Sequence, residues 1–260
     1  MNPWAIGVPA AVAAGAGLGA WGAVAPRSQL FGAVLRRLPL GEGRDAPREI
    51  ALTFDDGPNP AITPRLLDLL DRHDARATFF VIGQFAAKCP ELVREVAARG
   101  HLLANHTHTH PNLIWMSRGR IAQELRQCEE AVGEALGAAV STASKVAHCG
   151  NALTMQWMRP PYGFRGPQLT GVARGLGFRG VATWSRLCHD WNPQPDTQVI
   201  ARLARVRTGD IVLMHDGDCR ALGGDRGHVV AALEHWLPRW RDAGLAFVTI
   251  APEIGNDHTH

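Results

Sequence analysis

Apolar positions along the chain follow two periods in turn. Short apolar or β-branched runs bounded by Gly, Pro or charged residues recur at 50–54, 77–82, 101–104, 157–159, 180–184, 210–214 and 246–250, each too short for a helix and each predicting a strand. Between them, Ile62, Leu66, Leu67, Leu69 and Leu70 return at helical spacing after a Thr63-Pro64 start. Further helices are predicted at about 90–98, 117–136, 167–176, 196–206 and 227–243, with Gly100 and Gly137 closing two of them. This alternation predicts an α/β fold with a mostly parallel sheet, open or closed as a barrel, whose site lies at the C-terminal ends of the strands.

The ends of the chain depart from this pattern. Residues 1–26 carry no charged side chain, are rich in Ala, Gly and Val, and have Trp4 and Trp21 near their two ends, which predicts an N-terminal hydrophobic membrane anchor with a single span. Residues 27–47 read as a connector, 48–252 as the folded domain and 253–260 as a tail. Arg27, Arg36, Arg37 and Arg44 follow the span, and the positive-inside rule then keeps the domain in the cytoplasm.

Composition adds exclusions. The 260 residues are 46% hydrophobic and 20% charged, as in ordinary globular domains. A net charge of +3 without a dense Lys/Arg run does not point to nucleic acid. Cys89, Cys128, Cys149, Cys188 and Cys219 are odd in number and contain no CxxC pair, so they suggest neither a disulfide framework nor a cysteine-based zinc site.

Thr53-Phe54-Asp55-Asp56-Gly57-Pro58 puts two adjacent carboxylates where a strand runs out. Within a strand, neighbouring side chains point to opposite faces, so the pair converges only past its end. Buried together they repel unless a cation lies close, whereas in solvent Asp56-Gly57 is simply a turn dipeptide. Asn105-His106-Thr107-His108-Thr109-His110-Pro111 follows another predicted strand. If the chain turns helically there, His106 and His110 share a face and His108 points elsewhere. Asp56, His106 and His110 then offer one carboxylate and two imidazoles, three ligands with an open position, as catalytic zinc requires. Arg159, before Pro160 and Pro161, is of the type that orients a carboxylate through paired N–H donors. Asp190-Trp191 stands before the last part of the chain, and His215 ends an apolar strand, well placed for acid–base work.

The succession TFDDGP, HTHTH, RPPYG, DW and LMH resembles the five motifs of the polysaccharide deacetylase family, the NodB-homology domain of carbohydrate esterase family four, over about residues 48–252. The resemblance implies a distorted (β/α) barrel and a metal-dependent hydrolase, usually with zinc, that removes N-acetyl groups from amino sugars of a polysaccharide, oligosaccharide or glycolipid. It implies Asp55 as base oriented by Arg159, and Asp56, His106 and His110 as ligands of the divalent metal. His215 would be the acid tuned by Asp190, while Tyr162, with its backbone N–H on the oxyanion, Pro160 and Trp191 would meet substrate. Such a function places the domain in the cell envelope, against the charge rule above. Removal of a formyl group from a lipid-linked amino sugar, O-acetyl ester hydrolysis, and a non-catalytic carbohydrate-binding role are the alternatives. Residues 138–156 are longer than the family pattern leads one to expect and read as a surface loop, and His108 is an extra candidate ligand.

Overall fold

A computed structural model describes residues 17–41, 43, 46–137 and 155–250. Residues 17–24 are helical (α1). There follow β1 (Val34–Leu35), β2 (Glu49–Gly57), α2 (Thr63–Arg72), β3 (Ala77–Val81), α3 (Gly83–Lys88), α4 (Pro90–Ala98), β4 (Leu102–Asn105), α5 (Arg118–Ala135) and β5 (Trp157–Met158). The chain continues with α6 (Leu169–Gly175), β6 (Gly180–Ala182), β7 (Arg186–Leu187), α7 (Asp196–Leu203), β8 (Ile211–His215), α8 (Gly227–Asp242) and β9 (Ala246–Phe247).

The strands run in the order β1-β6-β5-β4-β3-β2-β8-β7, every pair parallel, with β9 added on β2. β6 and β7 stand six steps apart in this order, yet they are nearly continuous in sequence. A flat sheet would separate them by about 29 Å, whereas the chain from Ala182 to Arg186 reaches at most ~13 Å. The sheet is therefore curled until one short stretch, 180–187, supplies both the strand next to one margin, β6, and the strand at the other, β7.

Alternation of side chains along the strands divides the core into two. On β2, Ile50, Leu52 and Phe54 face outward into the large cluster that also takes Leu66, Leu67, Leu69 and Leu70 of α2 and Val229, Leu233 and Leu237 of α8. Burying each such side chain contributes roughly 1.5–3 kcal/mol. Ala51, Thr53 and Asp55 alternate with them toward the inside of the curl, where Ala51, Phe80, Ala104, Ala182 and Ile211 form a separate cluster. Three alanines in that layer leave room for large groups among them.

The expected connector is built into the fold. Residues 34–35 pair with β6, Leu38 is buried, and Arg37 bonds Asp210 at 2.8 Å just ahead of β8. Further back, Arg165 Nη2 donates to the carbonyls of Ala25 (2.7 Å) and Ser28 (3.2 Å), the Arg165 N–H donates to Ala23 O, and Thr183 Oγ1 donates to Pro26 O. The end of the expected anchor thus lies against the domain, with Ala23 buried. Among the described residues no helix is long and apolar enough to cross a membrane. Residues 1–16, which carry most of the expected anchor, and the tail at 253–260 lie outside the described residues, as does the 138–154 part of the expected loop.

Candidate active site

β2 brings both acids to one place by a bulge, not by ending before them. Its register on β3 steps from Asp55↔Phe80 to Gly57↔Val81, so Asp56 is the extra residue, and it takes a positive φ of 70°. Both carboxylates consequently turn into one cleft, although both are buried. Two glycines make room: a Cβ on Gly57 would lie 2.2 Å from Asp216 Oδ2, and one on Gly217 would lie 1.9 Å from the Asp56 carbonyl oxygen.

Asp55 is fixed from beneath. Arg159, fully buried, donates from Nη1 to Asp55 Oδ1 at 2.7 Å and to Thr53 Oγ1 at 2.8 Å, and from Nη2 to Thr183 O at 2.9 Å. The Thr53 hydroxyl gives its own proton to Val212 O, which leaves its lone pairs to the guanidinium. Arg159 also lies 4.0 Å over the Phe80 ring. Burial lowers the Arg159 pKa from its ordinary value while Asp55 opposes that shift. The arginine thus holds the Asp55 carboxylate through one Nη rather than a two-pronged fork.

The histidines converge without a helical turn. Thr107 and His110 take positive φ values of 68° and 59°, and the loop between them is held from outside. Glu124 of α5 accepts from His108 N, Thr109 N and Thr109 Oγ1, and the first N–H groups of α3 donate to Thr107 O and His108 O. His108 turns away from the acids and packs on Gly83, where an added Cβ would meet its Nδ1 at 2.6 Å. His106 Nδ1 lies 2.8 Å from the Arg159 carbonyl, which only accepts, so Nδ1 carries the proton and Nε2 the lone pair. That lone pair faces Asp56 Oδ1 at 3.5 Å and Asp55 Oδ2 at 3.7 Å, while His110 Nε2 lies 3.2 Å from the same Asp56 Oδ1.

Asp56 Oδ1 is buried and makes no hydrogen bond. Burial alone would raise the Asp56 pKa, but His106, His215 and His110 outweigh it and bring it to about 2. Burial, aided by His106, lowers the His110 pKa to about 4. An ionised carboxylate beside a neutral imidazole is the protonation pattern that a divalent cation needs from its ligands. Asp56 and His110 share their place with Cys219, whose Sγ completes a set of potential ligand atoms all within 4.8 Å of one another. These residues fit a divalent metal.

Opposite them stands His215, the register partner of Asp55 across β2 and β8. Asp190 Oδ1 meets its Nδ1 at 2.9 Å and Asp190 Oδ2 accepts from its backbone N–H at 2.6 Å. Burial would lower the His215 pKa, but Asp190 foremost, then Asp56 and Asp55, raises it to about 9. Its Nε2 is left for the cleft, an open hollow of about 470 Å³ that Tyr162, Trp191, Trp184, Leu187 and Leu213 also line. Tyr162, at φ 60°, sets its ring 4.7 Å from that of His110. Pro160 is not among the residues that line the cleft: it is buried, and its carbonyl accepts from Gly163 N to shape the Tyr162 turn. Trp184, Leu187 and Cys219, which line the cleft, and Glu124, which holds the histidine loop from α5, carried no sequence signal.

The chain is 37% identical over 217 residues to the chitooligosaccharide deacetylase of Sinorhizobium fredii, a match covering 81% of this chain and 93% of that protein. It is 32% identical over 217 residues to a peptidoglycan-N-acetylglucosamine deacetylase of Bacillus cereus, covering 80% and 89%. Among solved structures, the Bc1960 peptidoglycan N-acetylglucosamine deacetylase superposes with a TM-score of 0.71 at 29% identity, over 84% of this chain and 91% of that one. A family 4 carbohydrate esterase from Streptomyces lividans, solved with acetate, gives 0.66 at 29% identity, over 80% and 95%. Residues 42–181 match the family described as polysaccharide deacetylase. The curled parallel sheet is thus the fold of these enzymes, and the chain belongs to the polysaccharide deacetylase family.

Proposed function

We propose that the protein is a metal-dependent hydrolase that removes N-acetyl groups from amino sugars of a polysaccharide or oligosaccharide. The observation that carries this reading is the pairing of Asp55, held by Arg159, with His215, held by Asp190, on either side of a buried carboxylate oxygen flanked by two imidazoles. Asp56, His106 and His110 would hold the ion, zinc in this reading, which when bound polarises a carbonyl and lowers the pKa of water from about 15.7 toward about 7.

The residues of the chain divide the rest of the work. Asp55 takes the proton of the water that attacks the acetamide carbon, its free oxygen turned to the cleft because Arg159 occupies the other. A C–O bond forms, the C–N bond breaks, and His215 gives its Nε2 proton to the departing nitrogen. Asp190 keeps the His215 ring in the tautomer that makes this donation available. The Tyr162 N–H would serve the oxyanion, while Trp191, Leu187 and Leu213 would seat the sugar and exclude water. Acetate and a free amino sugar are the products. The relatives named for chitooligosaccharides and peptidoglycan support an N-acetylglucosamine-containing substrate.

Acetate release from chitooligosaccharides and peptidoglycan, with and without a chelator, tests the proposal. Release that survives complete removal of metal would sink the metal mechanism, and a metal-loaded protein inert on every substrate would favour a binding role. The same reading puts the domain on the envelope side of the membrane, which protease protection of a C-terminal tag in intact cells tests.

A further inference from the structure

The loop after β8 carries a thiol to the edge of the metal centre. Gly217 crosses directly over the Asp56 carbonyl, and its N–H points to Asp55 O. Two residues on, Cys219 sits in a turn closed by the bond from Ala221 N to Asp218 O. That turn is anchored. Asp218 accepts from Arg220 N, Nε and Nη2 and lies 3.4 Å from the buried Arg226, while Asn59 Nδ2 donates to the carbonyls of Asp216 and Gly224 at the two ends of the loop. Cys219 lines the cleft, forms no disulfide among the described residues, and has its Sγ within 4.8 Å of ligand atoms of both Asp56 and His110. The second sign of a ligand is Asp56 itself, whose side chain is 7% exposed and whose Oδ1 lacks any hydrogen-bond partner.

From this geometry we infer that Cys219 is a fourth ligand of the metal and closes its coordination in the resting enzyme. The inference rests on the metal centre proposed above and adds a residue to it. Asp56, His106, His110 and Cys219 supply one oxygen, two nitrogens and one sulfur, the number and kind of donors that fill a tetrahedral zinc site. On binding, the Cys219 S–H bond breaks, its proton passes to solvent, and the sulfur electron pair goes to the ion. A thiolate donor favours zinc and other thiophilic ions over magnesium. It also occupies the position a catalytic site keeps open, so Cys219 must leave, regaining a proton, before a substrate carbonyl can approach.

Cobalt(II) reports the donor atoms directly. In the full chain loaded with cobalt, a thiolate-to-cobalt charge-transfer band in the near ultraviolet is expected in addition to the weaker visible d–d bands. In Cys219→Ala the charge-transfer band should vanish while the d–d bands persist, and zinc affinity should fall by at least about tenfold. Wild-type protein needs no variant for the companion measurement: alkylation of Cys219 by iodoacetamide, followed by peptide mass, should slow at least about tenfold on zinc loading, because the metal-held thiolate is withdrawn from attack. Visible bands without a charge-transfer band, or equal alkylation rates with and without zinc, would overturn the inference and leave the three-ligand centre standing. Absence of all cobalt bands would overturn both together.

Discussion

Asp190 binds His215 through both of its oxygens, one on the ring Nδ1 at 2.9 Å and the other on the backbone N–H at 2.6 Å. The ring is thereby fixed in direction and kept charged: despite burial, its pKa is raised to about 9. A donor must be protonated to act, so kcat/KM should fall as pH rises through the His215 pKa. Asp190→Asn removes the largest favourable influence on the imidazolium and should move this alkaline limb to lower pH, lowering the plateau as well. A bound divalent ion cancels part of the attraction from Asp56 and Asp55, so the limb of the loaded enzyme should lie below the His215 pKa read by NMR in metal-free protein. An unshifted limb in Asp190→Asn would remove His215 from the role of acid. Stability carries the same sign. A pKa raised above the ordinary 6.5 contributes stability that is fully present below that value and lost as pH climbs toward about 9, so metal-free wild-type Tm should decline across this window and that of Asp190→Asn should decline less.

The two adjacent acids should fail differently. Asp55→Asn should keep the metal and lose about 10²–10⁴-fold in kcat, since it removes only the proton acceptor. Asp56→Asn should lower metal affinity first, with activity partly recovered at high metal concentration. Metal content by elemental analysis alongside kcat separates the two, and equal metal loss in both variants would contradict the division.

Arg159→Met should destabilise the fold by about 3–5 kcal/mol, because it strands the buried Asp55 carboxylate without its partner. Pairing it with Asp55→Asn should recover a large part of that loss. Denaturant unfolding of the two single variants and the double variant measures the coupling, and strict additivity would show that the pair is not the cause.

Glu124→Ala tests the loop that carries the ligands. Glu124 touches neither acid, yet it accepts three bonds from His108 and Thr109. Its removal should cost about 10–100-fold in metal affinity, as loss of outer support around a metal typically does, with only a small change in Tm. Calorimetric titration with zinc reads this, and unchanged affinity would mean that α3 holds the loop by itself.

Much of the site was legible in the chain because each motif is local. Asp55, Asp56, His106, His110, Arg159 and His215 each stand at or just after the end of an apolar run, and the resemblance of their motifs to the polysaccharide deacetylase family implied that they converge. What escaped notice acts through tertiary placement. Arg186-Leu187 is too short to show a strand period, and β1 lies between arginines that suggest a connector. Gly83 looks like a stop signal, although it opens α3 and supports the histidine loop. The odd cysteine count argued against a cysteine site, and nothing near Cys219 in sequence shows that the loop after His215 returns over Asp56. The bulge at Asp56 was equally hidden, since a strand that continues through Gly57 looks the same as one that stops at the acids.

The stretch 180–187, which links the two sides of the curled sheet, also fixes when the enzyme becomes competent as it folds. Arg159 is held at once by Thr53, 106 residues before it, and by the Thr183 carbonyl, 24 residues after it. Contacts so distant along the chain form only after large loops have closed, which makes them slow. A chain whose early strands have already paired, but whose last margin is still open, would hold both acids of β2 and yet lack an oriented base. Return of activity during refolding should therefore trail the return of secondary structure, and catalysis itself is the probe that reports the final closure.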